Sequence, residues 1–247
     1  MTAGLFVTGT DTGAGKSVLA AAVLAALRAR GLAVRALKPV ITGLDEPPEP
    51  DWPPDHELLA LAAGCRPEQV YAAGYGPPAS PHLAAELARR EIDPGALVGA
   101  ARGLAADPQA DVVIVEGVGG LLVPIADGFD VRELALELGW PVLVAARPGL
   151  GTINHTLLTL EAARARGLEL AAVVLTPWPS EPGQIERSNL DTIERLGHVR
   201  VSTLPALARA EPALLAAAGA SLPLDDWLPG LTGATPGWGG RSGGVAT

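Results

Sequence analysis

Cysteine is nearly absent from this chain: Cys65 is the only one in 247 residues. A lone thiol builds neither an internal disulfide framework nor a cysteine-based zinc site, and a reducing cytoplasm is the expected setting. Basic residues are scarce as well, 18 Lys and Arg against 27 Asp and Glu, for a net charge of −9. A nucleic-acid binder would carry a basic stripe, so that class is set aside. Phosphate binding is not, because it needs only a lysine or two and backbone N–H groups. There are four histidines, and none stands at zinc-ligand spacing from another; His82, His155 and His198 each fall near a predicted helix end. Aromatic residues make up 4% of the chain, and Trp52 and Trp178 read as loop residues used for packing. No apolar run is long enough to cross a bilayer, since "VLAAAVLAALRARG" is short and carries arginines. The first residues lack a basic stretch followed by a long apolar one, so no signal peptide is expected.

What is present is apolar content of 48%, enough for a substantial core. Short β-like runs alternate with helix-like runs, which predicts an α/β fold: a mostly parallel, doubly wound sheet with helices on both faces. The predicted strands are Leu5–Thr8, Val34–Leu37, Val112–Val115, Val142–Ala145, Ala172–Leu175 and Val199–Ser202. Most are unbroken apolar runs, as central strands covered on both sides should be. The predicted helices are Lys16–Arg30, Asp55–Ala63, Pro81–Arg90, Pro94–Ala106, Val131–Leu138, Ile153–Arg166, Ser188–Leu196 and Leu207–Ala218. One domain is expected over 1–229, followed by a Gly-rich tail, 230–247, expected to be disordered. The acidic, proline-rich "DEPPEPDWPP" (45–54) is either a solvated linker or a mobile loop beside a site.

The stretch "GTDTGAGKS" (9–17) sits between the first strand and the first helix. Small residues there let backbone N–H groups turn inward around an anion, and the helix N-terminus adds its partial positive charge. Lys16 would reach the β- and γ-phosphates of a nucleotide, and the Ser17 hydroxyl would meet Mg²⁺. The match to the phosphate-loop pattern is displaced, with Gly9 one position early and Asp11 where switch-type ATPases carry a second lysine.

Other pieces converge on the same edge. In "LKPVITG" (37–43), Lys38 leaves an apolar strand at the carboxyl edge, where open α/β sheets bind ligands; the plain alternative is a surface lysine. In "VVIVEGVGGLLVP" (112–124), Glu116 ends a buried strand ahead of Gly117, Gly119 and Gly120, as a second Mg²⁺ contact would require; the plain alternative is a solvated strand end. Asp55 opens a helix and is either its N-cap or a metal ligand. In "GLGTINHTLLTLEA" (149–162), Thr152 or Asn154 lies at a glycine-preceded helix start, as an N-cap or as part of a second anion-ready helix end.

These residues, with "PDHELLAL", "SPHLAAE" and "VVLTPWP", resemble the dethiobiotin synthetase family, in the family's order over residues 4 to about 205. The resemblance implies a phosphate-loop ATPase fold and ATP-driven closure of a ureido ring from 7,8-diaminopelargonate and CO₂. That reaction passes through a carbamate and a carbamic–phosphoric anhydride. It implies nucleotide binding along Gly13, Ala14, Gly15, Lys16, Ser17 and Val18, with Thr176 and Pro205 towards the base. Mg²⁺ would be held by Ser17, Asp55 and Glu116. Lys16 would contact the transferring phosphoryl, Thr12 and Lys38 the carbamate, and Thr42 and Gly119 the substrate. It also implies a homodimer in which Leu150, Gly151, Thr152 and Asn154 of a partner helix end receive the substrate carboxylate. Gly13-Ala14 replaces the Glu-Val of many members. Thr176 falls near the position where many carry an adenine-reading Asn, which leaves the base preference open.

Two other readings compete. A partition or metal-insertion switch ATPase is disfavoured by Asp11 and by the net acidity. Amide ligation on a corrin ring would usually need a glutamine-hydrolysing domain with a reactive cysteine, and Cys65 sits in no suitable context.

Overall fold

The computed structural model describes residues 2–47, 52–229 and 231. In chain order the elements are β1 (Ala3–Gly9), α1 (Lys16–Ala29), β2 (Val34–Leu37), β3 (Val40–Ile41), α2 (Asp55–Ala63), a 3₁₀ turn (Pro67–Gln69), β4 (Ala73–Gly74), α3 (Pro81–Leu87), α4 (Pro94–Ala105) and β5 (Val112–Glu116). They continue with β6 (Pro124–Ala126), β7 (Phe129–Asp130), α5 (Val131–Leu138), β8 (Val142–Ala146), α6 (Thr152–Arg164), β9 (Leu170–Trp178), α7 (Gln184–Gly197), β10 (Val201–Pro205), α8 (Pro212–Ala220) and α9 (Leu224–Trp227).

Six strands form one sheet in the order β10-β9-β8-β1-β5-β2, and every neighbouring pair is parallel. Alternate residues of each strand serve two cores. Leu5, Val7, Ile114 and Ala36 pack with α1, α2 and α8 on one face; Phe6, Val115, Leu37 and Val144 pack with α3 to α7 on the other. The predicted architecture is therefore the observed one. β1 lies between β8 and β5, so the loop that follows it opens at the centre of the carboxyl edge.

α1 is buried along most of its length, from Leu19 to Leu27. Its alanines combine high helix propensity with little bulk, and α8 comes in so close that a Cβ at Gly219 would run into the carbonyl oxygen of Ala22. Trp52 and Trp178 are partly buried against the two cores, as packing residues should be, but Trp178 ends strand β9 rather than lying in a loop, because it pairs with Pro205 of β10.

Several boundaries differ from the sequence reading. The helix predicted over Leu207–Ala218 starts at Pro212, because proline lacks the N–H that a helix interior needs and fits its first turn instead. The strand predicted over Val199–Ser202 begins at Val201, since His198 closes α7 in a left-handed conformation, φ 44°. α3 stops at Leu87 and Arg89 turns with φ 52°. The short pairs β3–β4 and β6–β7 have no periodic signal at two or three residues. Positions 48–51 of the acidic loop, and the tail apart from Leu231, lie outside the described residues.

Candidate active site

Register and pleat bring the first group of side chains together. Val7 pairs with Glu116 across β1–β5, and Leu37 pairs with Val115 across β5–β2, so Lys38 falls in the row of Glu116. Residues two apart share a face, so Lys38 and Glu116 face the side that α1 and α2 cover. Those helices supply Ser17 and Asp55 from their first turns.

The Lys38 ammonium donates to Glu116 Oε1 at 2.6 Å and to Asp55 Oδ2 at 2.5 Å. The Ser17 hydroxyl donates to Glu116 Oε1 at 2.8 Å. Lys38 and Glu116 are buried, whereas half of the Asp55 side chain is exposed. Burial alone would lower the Lys38 pKa, but Glu116 and Asp55 outweigh it and hold the ammonium above the usual lysine range. Burial pushes the Glu116 carboxyl above the usual glutamate range against the pull of Lys38. Burial would raise Asp55 too, but the Lys38 charge and hydrogen bond keep it below the usual carboxylate range. Asp55 is not the cap of its helix: Pro54 is, and no side chain caps that end.

The phosphate loop lies beside this cluster. Gly15 closes it in a left-handed conformation, φ 88°, as the residue ahead of α1, and no side chain caps the orphan N–H groups there. A Cβ at Gly15 would meet Thr176 Cγ2 at 2.5 Å, so the buried Thr176 packs against the loop. Lys16 is buried and donates to the Asp11 carbonyl at 2.9 Å. Burial holds its pKa below the usual lysine range against Glu116, and the Lys38 charge adds to the lowering. Ala14 is fully buried and Val18 half-buried. Thr12 is exposed, with its hydroxyl oxygen 3.6 Å from where a Cβ on Gly119 would stand. The glycines after β5 thus lie against the loop. Thr42 is half-buried directly after β3, and Pro205 is exposed where β10 pairs with Trp178.

The Leu150–Asn154 stretch forms a separate group. Gly151, φ 87°, precedes α6 with no side-chain cap, so neither Thr152 nor Asn154 caps it. Thr152 is buried with its hydroxyl 3.4 Å from that of Thr156, Asn154 is exposed, and Leu150 is 89% exposed.

Two residues that the sequence reading passed over tie these parts together. Arg147, directly after β8, donates to the Gly13 carbonyl at 3.0 Å and the Thr12 carbonyl at 3.2 Å. Asn189 of α7 donates to the carbonyls of Pro148 at 2.8 Å and Gly149 at 3.1 Å. Arg147 carried the signal that singled out Lys38, a basic residue leaving an apolar strand at the carboxyl edge. Asn189 carried none, since a helix-borne amide looks like any surface residue until its partners are seen.

The donor set suits Mg²⁺, which favours hard oxygen ligands and one or two carboxylates beside phosphate oxygens. Ser17, Asp55 and Glu116 supply a hydroxyl and two carboxylates, and among the described residues the buried Glu116 Oε2 has no hydrogen-bond partner. Among the described residues no three His, Cys, Asp or Glu side chains gather to form an all-protein metal site, nor is any helix long and apolar enough to cross a membrane.

A family model described as "AAA domain" matches residues 3–212. Among curated proteins, the chain is 43% identical over 208 residues to the ATP-dependent dethiobiotin synthetase BioD of Anaeromyxobacter sp. (strain Fw109-5), covering 80% of this chain and 91% of that one. It is 41% identical over 231 residues to the protein of the same name from Mycobacterium avium (strain 104), covering 93% and 99%. Among solved structures, cobyrinic acid a,c-diamide synthase from Mycobacterium smegmatis, with bound ADP and magnesium, aligns with a TM-score of 0.53 at 19% identity over 92% of this chain and 96% of that one. That likeness speaks for the fold alone. With close relatives matched over most of its length, the chain belongs to the ATP-dependent dethiobiotin synthetase family.

Proposed function

We propose that this chain is a ligase that closes the ureido ring of dethiobiotin from 7,8-diaminopelargonate, CO₂ and ATP. One amine takes up CO₂ as a carbamate. A carbamate oxygen attacks the γ-phosphorus and ADP leaves. The second amine then attacks the carbonyl carbon of the resulting anhydride and expels phosphate. Negative charge builds at each stage, so the main demand on the protein is fixed positive charge and oriented N–H dipoles. The observation that carries this reading is the buried Lys38 ammonium, held charged beside the phosphate loop and Lys16.

In this reading the loop N–H groups and Lys16 hold the β- and γ-phosphates, with Gly13 to Val18 against the nucleotide and Thr176 and Pro205 towards its base. Lys38 and Thr12 orient the carbamate, and Thr42 and Gly119 border the diamine. Ser17, Asp55 and Glu116 would hold Mg²⁺, which would supply positive charge against the phosphates. The uncapped α6 end receives the substrate carboxylate of a second copy. The proposed enzyme is accordingly a homodimer, working in the cytoplasm.

Purified protein with Mg-ATP and bicarbonate should form dethiobiotin, detected by mass, only when the diamine is added, with phosphate release rising in step. Phosphate release that ignores the diamine, with no dethiobiotin, would favour the switch ATPase. Against a glutamine-dependent ligase stands Cys65, whose pKa partial desolvation raises, the wrong direction for a nucleophilic thiol.

A further inference from the structure

We propose that Arg147 is a positioning residue for the phosphate loop. Its guanidinium donates to the carbonyl oxygens of Thr12 and Gly13. In a planar trans peptide the carbonyl points opposite to the N–H of the next residue. Fixing the Thr12 oxygen towards Arg147 therefore turns the Gly13 N–H away from it, and fixing the Gly13 oxygen does the same for Ala14. Two loop N–H donors are thus set by one side chain. The fit is close, since Gly13 has φ 68° and a Cβ there would stand 2.7 Å from Arg147 Nη2. The arginine is itself anchored, because Asn189 holds the next two carbonyls in the chain, those of Pro148 and Gly149. A guanidinium is suited to this, since its rigid fork reaches two acceptors at once and a lysine ammonium has no such fork.

This inference rests on the proposed use of the loop for a nucleoside triphosphate. The test compares wild-type protein with Arg147→Ala, Arg147→Gln and Arg147→Lys by calorimetric titration with Mg-ATP and with tripolyphosphate, alongside steady-state kinetics. Arg147 is exposed, and thermal melting checks that each variant folds. The Ala and Gln variants should lose affinity for both probes by about tenfold, the scale of a lost charged hydrogen bond. The KM for ATP should rise by a like factor while kcat falls less and the KM for the diamine stays constant; Lys should restore only part of the affinity. Folded Ala and Gln variants that bind both probes within twofold of wild type would overturn the inference and leave the function standing. A loss confined to ATP would overturn it too, by placing the effect at the nucleoside. Wild-type protein that binds neither probe would overturn the inference together with the reading of the loop.

Discussion

Lys16 and Lys38 are both buried lysines at one sheet edge, and their surroundings move them in opposite directions. Lys38 faces Glu116 and Asp55, and its ammonium is stabilised; among the described residues the direct partner of Lys16 is a neutral carbonyl, and burial wins. A lowered lysine pKa means the cation is lost earlier as pH rises. If Lys16 binds phosphate as a cation, kcat/KM for ATP should therefore fall on the alkaline side below the ordinary lysine value of about 10.4. Arg at position 16, charged throughout, should remove that limb even if overall activity drops; a pH–rate profile of Lys16→Arg checks this. Lys38 contributes in the other sense. Its raised pKa stabilises the fold fully below the unfolded lysine value, and the contribution is lost as pH climbs through the folded one. At this scale the sequence marked Lys16 at the junction of loop and helix, and it marked Lys38 and Glu116 at strand ends where a surface role was the plain alternative; their burial removes that alternative. The sequence left Asp55 open between cap and ligand; the helix start places Pro54 at the N-cap, and Asp55 turns to Lys38 instead.

Elements with strong internal patterns were legible. The strands are apolar runs, α2 and α5 match their predicted bounds, and the phosphate loop lies where strand, glycines and helix meet. What escaped was set by the backbone rather than by side-chain period: Pro212 fixing the start of α8, His198 delaying β10, and strands of two or three residues. The close seating of α8 on α1 makes a prediction at this scale. Gly219→Ala drives a methyl group into the Ala22 carbonyl, and relief means moving a helix off a packed core. The expected cost is about 1–3 kcal/mol, seen as a drop in Tm of ~2–4 °C per kcal/mol. The sheet edge that carries the site should keep its ATP affinity. A variant as stable as wild type would mean that α8 moves freely on α1.

On the scale of the molecule, one row of the sheet and the two helices over it bring a phosphate loop, a carboxylate pair and two ammonium groups into one region. Strand register puts Lys38 beside Glu116, and the loop after β1 puts Lys16 within electrostatic reach of both. The α6 start at Gly151 follows Arg147, which holds the phosphate loop, and the segment that Asn189 holds. In the proposed reaction Lys38 offsets the charge of a reacting carbamate rather than serving nucleotide binding. Lys38→Ala tests it, and the fold should tolerate the change, because burial already raises the Glu116 pKa and the carboxyl can take up a proton when its partner is gone. The decisive measurement is the rate of dethiobiotin formation at saturating Mg-ATP and diamine, set beside the Kd for ATP. A rate lower by ~10²–10³ with ATP affinity within about threefold of wild type is the predicted result; full turnover in the variant would contradict it.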